Sequence, residues 1–129
     1  DCYGFDEALY VAVRVISQMV RSGQSITDFV DRLPAQHATP EMHIACLDTE
    51  KFLLIERLAA HVKTSYDSRD LTLIDGVRVR TSDGWWLGRA SNTEAALVVR
   101  AEGRNPDALD RLVKHIESAL AVAGMEWRA

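Results

Sequence analysis

An α+β fold, a largely antiparallel sheet with helices on one face, is predicted for most of this 129-residue chain by three observations. Apolar residues recur at helical spacing in three long segments, near residues 6–21, 49–64 and 106–123. Between the second and third, short strand-like runs are punctuated by Asp-Gly turns. A polar segment with a proline at each end, Pro34 to Pro40, separates the later elements from the first helices and reads as a linker.

The elements follow in order. In the first helix the apolar positions are Leu9, Ala12, Val15, Ile16, Met19 and Val20, with Asp6 as the expected cap and Gly23 as the stop. A shorter helix is predicted after Ser25, which stands with Asp28 in N-cap and N3 positions, and Pro34 ends it. Beyond the linker, Glu41 to Leu47 reads as a strand. Asp48 or Thr49 is then expected to cap a helix to about Thr64, with Phe52, Ile55, Leu58, Ala59 and Val62 on its buried face. Ser65 to Asp70 is a polar turn. Leu71–Ile74 and Val77–Thr81 are strand-like and meet at Asp75-Gly76, as a hairpin or as parts of one long strand. Asp83-Gly84 leads into the strand Trp85–Ala90, and Ala95–Ala101 is a strand again. Asn105-Pro106 opens the clearest helix: asparagine caps, proline suits the first helical position, and Asp107 and Asp110 suit the positive helix start. Its face is Leu109, Leu112, Val113, Ile116 and Leu120, and Gly124 ends it. The order after the linker is β-α-β-β-β-β-α.

Composition narrows the function. With 47% hydrophobic and 26% charged residues the chain has ordinary globular usage, and a length that can bury a core without staples. A net charge of −4 argues against general nucleic-acid binding, which rewards strongly basic surfaces. The two cysteines and four histidines are scattered without metal-ligand spacing. No apolar run reaches the ~20 residues of a membrane span, and no signal-peptide pattern opens the chain. These features lead us to expect a cytoplasmic protein without membrane or nucleic-acid partners. The chain starts at Asp1 and runs almost at once into helix, as an excised piece would. Lysine stands only at Lys51, Lys63 and Lys114, so twelve of the fifteen basic residues are arginine, the side chain suited to forked recognition of phosphate or carboxylate.

The stretch Gly84-Trp-Trp-Leu-Gly-Arg-Ala-Ser-Asn-Thr-Glu94 carries the chemistry. A strand delivers Arg89 to its end, and Ser91, Asn92 and Thr93 follow in a tight turn. A guanidinium fork, two hydroxyls, an amide and inward-aimed backbone N–H groups make a compact cradle for a dianion that needs no metal. The alternative on the same residues is an ordinary hairpin turn beside a surface arginine. Elsewhere, Arg78 and Arg80 share a strand face opposite Val77 and Val79, most simply a solvated one. His43 and His61 lie among apolar residues and read as packed polar groups, His37 as a solvated linker residue, and Cys46 as a small buried hydrophobe. Trp85 and Trp86 point to opposite faces of their strand, one toward the core.

Arg89-Ala90-Ser91-Asn92-Thr93-Glu94 resembles the phosphate-binding loop of the α-D-phosphohexomutase superfamily, in the form found in its bacterial phosphomannomutase/phosphoglucomutase group. Asp75-Gly76-Val77-Arg78-Val79, Gly84-Trp85, Thr39-Pro40-Glu41 and Tyr3-Gly4-Phe5-Asp6 are similar to further motifs of that family, in its order. The resemblance implies that residues 1–34 are the last helices of a third domain with its linker. Residues 35–129 would be a whole fourth domain, a TATA-box-binding-protein-like layer. It implies a four-domain, monomeric isomerase of carbohydrate metabolism that interconverts hexose 1-phosphate and hexose 6-phosphate, of mannose or glucose, through a bisphosphorylated intermediate. A phosphoserine and Mg²⁺ would lie on earlier domains. Position by position it implies that Arg89 is the main ligand of the non-reacting substrate phosphate, with Ser91, Asn92 and Thr93 adding contacts. No catalytic or metal-binding residue is expected here, because the family's serine, metal and sugar-reading loops have no counterpart in this chain. The piece would therefore be inactive alone and would pack against the other domains of its own chain. A relative acting on an amino-sugar phosphate, or a free-standing sugar-phosphate or anion-binding module, are the alternatives. Two departures from the family pattern are visible. Ala95 stands where proline is usual, which would loosen the loop exit. Trp86 and Gly88 stand where a glycine and a branched residue are usual, so the strand feeding Arg89 would be repacked or bulged.

Overall fold

In the computed structural model the chain divides into two compact units, Asp1–Ala35 and Gln36–Ala129; residues 7–35 and 37–127 are described. The expected cap Asp6, the segment Tyr3–Asp6 and Cys2 lie outside the described residues.

The first unit holds two helices, α1 (Ala8–Ser22) and α2 (Ile26–Val30). Helix α1 stops at Gly23, whose φ is 67° and whose N–H donates to the Met19 carbonyl at 2.9 Å. Helix α2 starts on the predicted capping box. The Ser25 hydroxyl accepts from the Asp28 N–H at 3.1 Å, and the Asp28 carboxylate accepts from the Ser25 N–H at 2.9 Å. The Ser25 hydroxyl also donates to that carboxylate at 2.8 Å, and this bond, with the one from the Ser25 N–H, holds the Asp28 carboxyl below its ordinary value.

The second unit is built from β1 (His37–Ala38), β2 (Met42–Ala45), α3 (Lys51–Ser65), β3 (Leu71–Thr72), β4 (Val77–Arg80), β5 (Gly84–Ala90), β6 (Ala96–Gly103) and α4 (Pro106–Ala123). The sheet is antiparallel throughout, in the order β1-β6-β5-β4-β3, with β2 also paired to β6. Strand β6 is long enough to take β1 on residues 102–103 and β2 on residues 96–99. Between them Pro40 lacks an N–H, and Thr39 bridges the break: its N–H donates to the Ala101 carbonyl and its hydroxyl accepts from the Ala101 N–H, both at 3.0 Å.

Both helices pack on one sheet face, as the order of elements predicts. Val77 and Val79 of β4, Trp86 of β5 and Leu97, Val99 and Ala101 of β6 meet Leu54, Leu58 and Val62 of α3 and Leu112, Ile116 and Leu120 of α4. Alternation along β4 leaves Arg78 and Arg80 exposed opposite the two valines, as read from the sequence. Helix α4 opens with Asn105 accepting from the Ala108 N–H at 2.8 Å.

Five expectations need correction. The stretch read as linker contains β1, with His37 half-buried and paired to Gly103; two residues are too few to show a strand period. Residues 71–81 form two antiparallel strands of a hairpin, so one long strand is excluded. Helix α3 begins one or two residues later than Asp48 or Thr49 would cap it, after Glu50 and without a side-chain cap. Its buried residues are Lys51, Leu54, Leu58 and Val62, while Phe52 is 60% exposed. Four consecutive apolar residues, 52–55, hide the phase of the helix, and only the sheet selects it.

The fifth concerns β5, which keeps one register with β6 from Gly84 to Ala90 and has no bulge. Trp86 and Gly88 are neighbours on the inner face, and a Cβ on Gly88 would lie 3.2 Å from Leu58 Cδ2 and 4.0 Å from the Trp86 ring. The large indole thus occupies the space that the small residue leaves. Its Nε1 is buried without a hydrogen-bond partner among the described residues, a cost of about 1–3 kcal/mol that its packing must exceed.

Candidate functional site

Sequence reasoning places the site at the end of β5, and the sheet decides what stands beside it. Side chains alternate along β5, so with Trp86 and Gly88 facing the helices, Arg89 projects from the opposite face. Its cross-strand neighbour on β6 is Val98, and the neighbour of Val98 on β2 is His43. The three form one row across the sheet, with Val98 buried and Arg89 and His43 accessible.

The Arg89 side chain is 38% exposed, and its Nη2 lies 3.8 Å from the Glu41 carboxylate. That is beyond hydrogen-bond length and loose for an ion pair, so it costs about 0–1 kcal/mol to exchange this partner for another anion. The β3–β4 loop passes close by. Gly76, at φ 108°, sits where a Cβ would come within 2.5 Å of the Gly88 carbonyl and 2.8 Å of Arg89 Cβ, so only glycine lets the loop pack against this strand. A shallow groove of about 240 Å³ runs beside it, lined by Ile74, Asp75, Arg78 and Arg89 among others.

Ser91 closes the hairpin with its N–H donating to the Ala96 carbonyl at 2.9 Å. Its side chain is buried, and its hydroxyl oxygen accepts from the Glu94 N–H at 3.2 Å. The hydroxyl proton is what it can still offer a ligand. Asn92 and Thr93 are exposed at the tip. The four predicted residues thus fall on one short stretch, with the fork of Arg89 at its base and an amide and a hydroxyl at its crest.

Three residues that sequence reasoning did not assign to the site turn out to hold it. Lys51, at the start of α3, is buried; its Nζ lies 2.7 Å from the Asp48 carboxylate and donates to the Glu94 carbonyl at 3.2 Å. His43 is half-exposed rather than packed in the core, and its Nδ1 lies 2.7 Å from the Glu94 carboxylate. Glu94 therefore ties the loop to both α3 and β2. A lysine at a helix start, where the positive dipole end disfavours it, is the signal in the sequence that could have drawn attention to Lys51.

The other candidates fall away from the loop. Arg78 stacks on the Trp85 ring, 4.9 Å from its centroid. Arg80 reaches Asp70 at 3.4 Å, and Arg111 grips Asp83 through two bonds of 2.6 and 2.8 Å. Cys46 follows β2 and is half-buried, and burial pushes its thiol up. Among the described residues no three His, Cys, Asp or Glu side chains are grouped to hold a metal ion, and no helix is long and apolar enough to cross a membrane.

Fold and loop together define a small α+β layer that presents an arginine-led cluster of donors at the end of a sheet hairpin. Residues 41–119 match the family described as phosphoglucomutase/phosphomannomutase, C-terminal domain. The chain is 37% identical over 110 residues to a phosphomannomutase/phosphoglucomutase of Pseudomonas putida, across 85% of this chain and 23% of that protein. It is 32% identical to the enzyme of the same name from Pseudomonas aeruginosa, across 93% of this chain and 27% of the relative. A crystal structure of a phosphoglucomutase/phosphomannomutase family protein from Burkholderia thailandensis superposes with a TM-score of 0.69 at 31% identity, covering 95% of this chain and 25% of that one. The chain belongs to the phosphoglucomutase/phosphomannomutase family and carries its C-terminal domain, spanning about a quarter of the length of these relatives.

Proposed function

We propose that this chain is the phosphate-holding C-terminal part of a longer mutase that interconverts hexose 1-phosphate and hexose 6-phosphate through a bisphosphorylated sugar. Arg89, Ser91, Asn92 and Thr93 hold the phosphate that is not reacting. The observation that carries this reading is the accessible Arg89 guanidinium, with only a loose partner in Glu41, at the base of a loop whose tip exposes Asn92 and Thr93. A planar fork binds two oxygens of one phosphate, and neutral donors orient the remaining oxygens without demanding a particular sugar. Such a site suits an intermediate that must turn over and present either of its two phosphates to the same donors.

This chain binds and orients, and the phosphoryl transfer belongs to residues outside it. Its own residues do not fit a Mg²⁺ site, for want of grouped carboxylates among those described; a Mg²⁺ used by the longer enzyme is held elsewhere in it. The identity of the hexose is likewise read elsewhere. Binding by the chain alone is weak, since one phosphate contributes only part of the substrate's contacts. Titrating isotopically labelled chain with inorganic phosphate or mannose 6-phosphate is expected to move the amide signals of residues 89–93. Silence there at millimolar concentrations, with Arg89→Ala indistinguishable from the unmodified chain, would refute the reading.

A further inference from the structure

We propose that Lys51 is a positioning residue for the 91–95 loop: its ammonium sets the direction of the Glu94–Ala95 peptide, and through it the geometry in which the loop meets a phosphate. The inference rests on the phosphate reading above.

Three physical costs mark the position. Lysine is among the residues least often buried, yet the Lys51 side chain is only 6% exposed. It stands at the first residue of α3, where the positive end of the helix dipole opposes a cation. A long flexible side chain also loses rotamer freedom when it is held in place. Asp48 alone does not explain the arrangement, because its carboxylate is 70% exposed and a solvated lysine would serve it as well. The contact that requires the ammonium to be inside is the one to the Glu94 carbonyl. The Phe52 ring, 5.3 Å from Nζ, covers the cation on another side.

What the contact does follows from the loop's other bonds. The Ser91 N–H donates to the Ala96 carbonyl, and the Ala95 carbonyl accepts from the Cys46 N–H at 3.0 Å, which fixes the two ends. The peptide before Glu94 is held by the Ser91 hydroxyl, which accepts the Glu94 N–H. The peptide after it is held by Lys51. Ala95 has no ring to restrict its φ, so between these two anchored neighbours the Lys51 contact is what resists turning of this peptide. Ser91 shares a backbone frame with that peptide and Thr93 is one residue from it, so its rotation would displace donors of the proposed phosphate site. The His43–Glu94 contact ties a side chain, not a peptide, and is open to water on both partners.

The test uses the full 129-residue chain. Lys51→Met keeps the length and removes the donor, and Lys51→Arg keeps a donor and the charge. Without phosphate, amide exchange of Glu94 and Ala96 in Lys51→Met is expected to quicken about tenfold, with the far-ultraviolet dichroism unchanged. The dissociation constant for inorganic phosphate is expected to rise about tenfold, and Lys51→Arg to recover most of both losses. Arg89→Ala is the contrast: phosphate affinity lost, exchange in the loop unaltered. Exchange in Lys51→Met equal to the unmodified chain overturns the proposal. If the unmodified chain binds no phosphate, the functional reading fails while the exchange measurement still decides Lys51. If Lys51→Met does not fold, the ammonium signal of the unmodified chain decides. A slowly exchanging resonance with proximity to Ala95 supports the proposal, and solvent-like exchange defeats it.

Discussion

Arg89 has only a loose carboxylate neighbour, Glu41, 3.8 Å away, and two substitutions should move the proposed phosphate affinity in opposite directions. Arg89→Ala is expected to remove the phosphate-induced amide shifts. In the longer mutase proposed above it should weaken substrate binding by about a hundredfold, the loss expected for a charge-assisted bidentate contact, read as a raised KM. Glu41→Gln removes the competing carboxylate and should tighten phosphate binding by about two- to fivefold, within the range of a half-exposed ion pair. Equal affinity in Glu41→Gln and the unmodified chain would mean that Glu41 does not oppose the ligand. Asp83 tests a structural residue. Two bonds from Arg111 hold its carboxyl below the usual range and raise the Arg111 guanidinium. A carboxyl depressed on folding contributes stability above its unfolded value of about 4, and that stability is lost as pH falls through the folded value. Thermal melts across this acid range should show Asp83→Asn less stable than the unmodified chain at neutral pH, with the difference shrinking as pH falls. A difference independent of pH would refute the assignment. Asp28 has the same sign, so part of the acid sensitivity remains in the variant.

Strand β5 carries the candidate site, and on its inner face the large Trp86 stands beside Gly88. Gly88→Val places new atoms against Leu58, only 3.2 Å from the first of them, and should cost about 1–3 kcal/mol. Trp86→Gly empties a fully buried position and should cost about 3–5 kcal/mol. Because the two side chains compete for one space, the double variant should lose less than the sum of the single losses. Denaturant melts of all four proteins measure this coupling, and strict additivity would show that the positions do not interact. Helix α3 illustrates how an element can be legible while its orientation is not. Its span follows from composition and turn signals, but residues 52–55 are all apolar, so its buried stripe depends on which side the sheet offers.

At the scale of the whole molecule, the second unit has a core of its own, with sheet, α3 and α4 in one cluster. Residues 36–129 should therefore fold cooperatively without the first 35, giving a single thermal transition with the same loop signals and the same phosphate response. A non-cooperative melt, or loss of the loop signals, would show that the first unit is needed. In the first unit, by contrast, Leu9, Ile16 and Val20 of α1 stay more than half exposed, so its helices rest less on burial and more on local signals such as the Ser25–Asp28 box and the Gly23 stop.

The amino-acid sequence by itself determined what depends on neighbours a few residues apart: the Asn105 cap, the Ser25–Asp28 box, the Asp75-Gly76 and Asp83-Gly84 turns, the alternation of Val77 and Val79 with arginines, and the Arg89–Thr93 run. Each is a short-range fit of side chain to backbone, so it is written in consecutive letters. Tertiary structure decided the rest. It turned two linker residues into a strand on β6, selected the buried stripe of α3, set His43 and Arg89 in one row astride Val98, and drew Lys51 to the Glu94 carbonyl 43 residues away. Those pairings are made by strand register and helix packing, which join residues far apart in the chain, and no local pattern encodes which distant partner a buried ammonium or an exposed histidine will meet.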